Sequence, residues 1–130
     1  MHSFGSHLGY AFQIRDDYLG VWGEKTQTGK SVGGDIRRKK NSFPIVYAMS
    51  TSTGRDRKAL NDAYKKQELS SQDIQTVLKI MEKLNVPTAA NALAAEQCEA
   101  ALATLETARV ESSVKNEMED LVKFLMTREY

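Results

Sequence analysis

The sequence predicts an all-α protein, an antiparallel helical bundle. Apolar residues recur at helical rather than strand spacing along most of the chain, the prolines are confined to Pro44 and Pro87, and one segment carries a helix-start signature at its head. The first helix is expected over roughly residues 4 to 22. A polar stretch, "EKTQTGKSVGGDIRRKKNS", follows it and reads as a loop or interrupted helix around Gly29, Gly33 and Gly34. "SFPIVYAMS" begins the next helix, with Ser42 as N-cap and Pro44 in the first turn, where a missing N–H does no harm. Gly54 is expected to close it. A short helix comes next, with Leu60, Ala63 and Tyr64 on one side.

"SSQDIQTVLKIMEKL" opens with a capping box from Ser70 to Asp73 and continues in an apolar stripe of Ile74, Val77, Leu78, Met81 and Leu84. Pro87 marks the start of another helix, whose narrow face of Ala94, Cys98, Ala101, Leu102 and Leu105 permits close approach to a neighbour. After Ser112 and Ser113 the last helix is striped by Val114, Met118, Leu121, Val122 and Leu125. With no internal repeat, low-complexity tract or flexible linker, residues 1–130 are expected to form a single domain.

Charge and cysteine content narrow the function. Eighteen basic residues against 17 acidic ones leave no global field to attract nucleic acid or an anionic membrane. The single cysteine, Cys98, cannot form an internal disulfide and reads as a small buried hydrophobe. There is no charged leader ahead of an apolar segment and no apolar run long enough to span a bilayer. A reducing, cytoplasmic setting is expected.

The chemistry concentrates in "GYAFQIRDDYLGVWG". On a helix, Gly9, Gln13, Asp16, Asp17 and Gly20 recur at intervals of three and four and share one face, while Leu8, Ala11, Phe12, Leu19 and Trp22 take the other as core. Two adjacent carboxylates can hold a hard divalent cation such as magnesium, which keeps several waters and shares its coordination with phosphates. Read alone, the pair fits an ion pair with Arg15 or with a neighbouring helix better than a metal site. Just beyond it lie Lys30, in Thr28-Gly29-Lys30, Asp35, and the run Arg37, Arg38, Lys39, Lys40. Acids for a metal, lysines for phosphate oxygens and glycines for a bending backbone describe a diphosphate–metal site. By itself "RRKK" is a solvated charge run or a weak nucleic-acid patch, and no aromatic interleaving supports the latter.

These two blocks resemble the second aspartate-rich region of the trans-isoprenyl diphosphate synthases, the polyprenyl synthetase family. "GYAFQIRDDYLGVWG" is similar to its G-x-x-F-Q-x-x-D-D-x-x-D block, and "TGKSVGGDIRRKKNSFPIVYAM" to the T-G-K and D-I-x-x-x-K-x-T/S-x-P block after it. The resemblance runs from about Phe4 to Tyr130 and implies the C-terminal half of the isoprenoid synthase fold. It also implies roles. Asp16 and Asp17 would be the catalytic acids, Asp16 as the direct magnesium ligand and Asp17 beside it binding through the ion or its water, with Asp35 acting on the metal's water shell. Lys30 and Lys40 would hold an allylic diphosphate, Gln13 would support them, and Phe12 would border the prenyl chain. Such enzymes draw off diphosphate with metals and lysines and let the double bond of isopentenyl diphosphate attack the allylic cation.

Two departures qualify the resemblance. The third aspartate of the motif is Gly20 here, which removes a carboxylate and should weaken metal binding. The family's first D-D-x-x-D motif and its isopentenyl diphosphate site are absent from these 130 residues. The expectation is a prenyltransferase portion that is inactive alone and binds magnesium with pyrophosphate or a prenyl diphosphate weakly. It should form a homo-oligomer, foremost a dimer, through apolar faces left uncovered at Phe12, Trp22, Phe43, Ile45, Val46 and Tyr47. The alternative is a non-catalytic helical oligomerisation or interaction module derived from the same fold.

Overall fold

The computed structural model describes residues 2–23 and 33–127, and within them the chain is helical with no strand. The order is α1 (His2–Trp22), α2 (Gly34–Arg37), α3 (Phe43–Thr51), α4 (Gly54–Lys65), α5 (Ser71–Lys83), α6 (Val86–Thr107) and α7 (Ser112–Thr127). No described helix is long and apolar enough to cross a membrane. The described parts of residues 17–90 form one compact unit and those of 1–16 with 91–129 another.

In the first unit α5 packs against α2, α3 and α4. The capping box forms as the sequence requires: Ser70 Oγ accepts from the Asp73 N–H at 3.1 Å, and Asp73 Oδ2 accepts from the Ser70 N–H at 2.9 Å. The stripe behind it is buried at Ile74, Val77, Leu78 and Met81, where it meets Val21, Ile36, Ile45, Ala48, Leu60 and Ala63. Truncating a fully buried side chain of this set, such as Leu60 or Met81, to alanine costs about 2–5 kcal/mol.

Ser42 stands at the N-cap of α3 in an extended conformation (φ −99°, ψ 167°), yet its side chain makes no capping hydrogen bond. Gly54 does not close α3. The helix stops earlier because Ser52 and Thr53 turn extended (ψ 154° and 162°), and Gly54, with φ 56°, opens α4 instead.

The second unit is centred on Phe4, Ala11, Cys98, Ala101, Leu105 and Val122, with Leu8, Leu102 and Met118 packed against them. Cys98 is buried, and that burial pushes its thiol pKa up. Hydrogen bonds from His7 to Gln97 (2.8 Å) and from Arg15 to Asn91 (2.7 Å) tie α1 to α6 within this unit. The stripe expected on α7 is only partly core: Val122 and Leu125 are buried, whereas Val114 and Leu121 are 40% and 47% exposed. Val122 shares its core with Phe4 and Ala11 of α1 and with Cys98, Ala101 and Leu105 of α6.

Candidate functional site

The site is built where the chain leaves α1 and returns. Gly33, in the left-handed region at φ 83°, donates its N–H to Val21 O at 2.7 Å and starts α2. A Cβ at Gly33 would meet Ile74 Cγ2 at 2.7 Å, so close packing and backbone sign both demand glycine there. α2 carries Asp35 in its first turn. Lys39 then adopts φ 55° and the Lys40 N–H bonds back to Asp35 O at 2.9 Å, which folds the basic run over α2.

This return places Lys40 between two acids. Its Nζ lies 3.3 Å from Asp17 Oδ1 and 3.7 Å from Asp35 Oδ2. Asp17 Oδ2 accepts the Phe43 N–H at 3.0 Å, so Asp17 rather than Ser42 satisfies the first N–H of α3. Arg38 Nη2 donates to Asp35 Oδ1 at 2.5 Å. Asp17 and Asp35 are 6% and 3% exposed. Two buried carboxylates facing two cationic side chains are tolerable in a protein interior because they are paired. The pairing is incomplete, since Asp35 Oδ2 has no hydrogen-bond partner among the described residues. Tyr64 of α4 also feels this cluster: burial first, then the negative charge of Asp35, pushes its phenol pKa up to about 12.

Gly20 explains how Asp35 gets so close. A Cβ built at Gly20 would overlap the Asp35 carboxyl group, with Oδ1 at 2.8 Å and the other carboxyl atoms nearer still. The motif's missing third side chain is therefore the space that Asp35 fills.

The remaining candidates fall as follows. Asp16 is exposed on α1 beside buried Asp17, so the polar face divides between water and interior. The buried side of α1 is Phe4, Ala11, Ile14, Asp17 and Val21; of the expected core face, Ala11 is buried, Leu8, Leu19 and Trp22 are half-buried, and Phe12 is exposed. Asp17 can join that side because Lys40 and the Phe43 N–H meet its charge. Gln13 is exposed. Phe12, expected as core, is 45% exposed and lines an apolar groove of about 410 Å³ with Gly5, Leu8, Gly9, Leu121, Phe124 and Leu125. Lys30 lies outside the described residues. Among those residues no three His, Cys, Asp or Glu side chains gather as a metal cage, so Asp16, Asp17 and Asp35 are not a preformed three-carboxylate set. The sequence reading counted Arg38 only as part of the basic run and did not bring Tyr64 to the site. The i, i+3 spacing of Asp35 and Arg38 could have disclosed the first, but no local signal brings Tyr64, nearly thirty residues on, to the same place.

The sequence is 31% identical over 128 residues to a prenyl transferase of Porphyra purpurea, covering 98% of this chain and 38% of that protein. Its fold matches geranylgeranyl pyrophosphate synthetase from Pyrococcus horikoshii with a TM-score of 0.86 and 26% identity, over 98% of this chain and 38% of that one. It also matches a geranylgeranyl pyrophosphate synthase from Corynebacterium glutamicum solved with isoprenyl diphosphate and magnesium (TM-score 0.82, 25% identity, 98% and 36% covered). The chain thus spans less than two fifths of the length of each of these relatives. The sequence profile of the polyprenyl synthetase family matches residues 1–81, which contain Asp16, Asp17, Gly20, Lys30, Asp35 and Lys40. With the helical fold and the acid–lysine cluster both in place, the chain belongs to the polyprenyl synthetase family.

Proposed function

We propose that this chain supplies one acidic half of a trans-prenyltransferase site, the half that binds magnesium and a diphosphate. The observation that supports the proposal is Lys40 Nζ set between Asp17 and Asp35 on a return loop within the residues that the family profile matches.

The residues fit magnesium. Asp17 and Asp35 offer hard oxygen donors, and the buried Asp35 Oδ2 lacks a hydrogen-bond partner among the described residues. Two buried carboxylates suit an ion that completes its shell with water and phosphate oxygens. Magnesium, when bound, neutralises charge on the departing diphosphate. Asp17 and Asp35 would hold the ion, Asp16 would contribute from the exposed side of the same helix, and Lys40 with Lys30 would bind phosphate oxygens as point charges. No side chain of the cluster is placed as a nucleophile, and its work is electrostatic. Condensation with isopentenyl diphosphate would need a second acidic motif, which these 130 residues do not contain.

Calorimetric titration of pyrophosphate in the presence of magnesium tests this. Wild type should bind, and Asp17→Asn should lose magnesium-dependent binding. Lys30→Ala removes one charge-assisted contact worth roughly 1.5–3 kcal/mol, about ten- to a hundredfold in affinity. Equal affinities across the three proteins would sink the assignment.

A further inference from the structure

We propose that Lys40 is the built-in counter-ion of this site and that a divalent cation and the Lys40 ammonium occupy it alternately. The inference rests on the magnesium–diphosphate reading above and concerns what the site does before the ion arrives.

The geometry has Lys40 hydrogen-bonded to Asp17 and only ion-paired with Asp35. Asp17 Oδ2 faces the Phe43 N–H and Asp35 Oδ1 faces Arg38, so the oxygens turned toward Lys40 are Asp17 Oδ1 at 3.3 Å and Asp35 Oδ2 at 3.7 Å. The second distance is beyond hydrogen-bonding range, and Asp35 Oδ2 is left without a hydrogen bond in a residue 97% buried. A hydrated divalent ion can reach both oxygens directly or through water, which one ammonium at these distances does not. The acids are fixed, but Lys40 is not enclosed: its side chain is 42% exposed and ends in a flexible stem. It can leave.

Charge decides that it must. Two carboxylates, Arg38 and Lys40 sum to zero, so a divalent ion added between Asp17 and Asp35 would press against the ammonium at short range in a weakly screened setting. Turned outward, the ammonium can meet the phosphate that accompanies the ion. Lys40 therefore opposes the metal and assists the diphosphate, and the two effects have opposite signs.

The test uses the whole 130-residue chain with magnesium alone, then with magnesium and inorganic pyrophosphate, in wild type, Lys40→Met and Lys40→Arg. Lys40→Met should bind magnesium alone on the order of fivefold more tightly than wild type, yet bind magnesium pyrophosphate at least about tenfold more weakly. Lys40→Arg keeps the counter-charge and should stay near wild type for magnesium alone. In wild type, labelling of Lys40 by limiting acetic anhydride, read by peptide mass spectrometry, should rise with magnesium and fall again on adding pyrophosphate. Should Lys40→Met prove unfolded, this labelling arm decides. Lys40→Met binding magnesium no more tightly than wild type, or labelling indifferent to magnesium, overturns the exchange while magnesium-dependent pyrophosphate binding keeps the diphosphate reading intact. Absence of magnesium and pyrophosphate binding in every protein overturns both.

Discussion

Asp17 shows why a residue in an acidic motif is not explained by metal binding alone. Its carboxylate takes the first N–H of α3 and pairs with Lys40, so it positions the return loop as well as offering an oxygen donor. Gly20 is the counterpart on the same helix, leaving room for Asp35. Restoring the motif's third acid by Gly20→Asp should therefore fail. Overpacking of this kind costs about 1–3 kcal/mol, and a second negative charge against Asp35 adds to it. Urea denaturation should show that loss, and Asp35→Gly in the same chain should recover part of it, a coupling expected only for side chains that compete for one space. Additive losses in the double variant would contradict the account. Tyr64 offers a second check. Its pKa, raised to about 12, means the folded state resists its ionisation, so stability present below pH 10 is lost as pH rises toward 12. Ultraviolet titration should find a tyrosine ionising near pH 12 in wild type, a step that Tyr64→Phe loses, and the variant's alkaline unfolding should be correspondingly milder.

Elements were legible in proportion to how local their causes are. The start of α5 is written in four residues, Ser70 to Asp73, and forms accordingly. Ser70→Ala should cost about 1 kcal/mol in chemical denaturation. The Lys66 hydrogen bond, followed by those of the Ser70 backbone and side chain, lowers the Asp73 pKa from its ordinary 3.8 to about 2. A depressed carboxylate stabilises the fold above its unfolded pKa, and that contribution fades as pH falls through about 2. Asp73→Asn should thus be less stable than wild type near pH 6 and converge with it near pH 2. A stability gap independent of pH would exclude this cause. α1 and α7 were less legible because a helical stripe tells which residues align, not which are covered. Asp17 lies on the buried side of α1 only because Lys40 and Phe43, more than twenty residues on, meet it there. Leu121 and Val114 belong to the same stripe as Val122 yet stay exposed. Gly54 misled for a related reason: a glycine after a helix reads as a stop, but the extended Ser52 and Thr53 had already ended it.

For the molecule as a whole, the sequence disclosed the helical class and the family, because two motif blocks carry ordered spacing that composition does not. The site was legible as a set of residue types and illegible as a charge network, since the Lys40 bridge depends on how the return loop folds. The same limit applies to surface. Phe124 and Phe12 are 60% and 45% exposed, and with Leu121 they border one apolar groove in the unit that holds α7. Contiguous apolar surface of this kind favours association in water, and closed twofold pairing is the commonest way a single chain covers such a surface. The 130-residue chain is therefore expected to self-associate through this groove. Light scattering at micromolar concentration should give twice the chain mass. Phe124→Glu, which sets a charge in the middle of the apolar face, should return the monomer mass with helical content unchanged by circular dichroism. A monomeric wild type would refute self-association, and a dimer indifferent to Phe124→Glu would move the interface to another face, such as the one bearing the 49% exposed Val46.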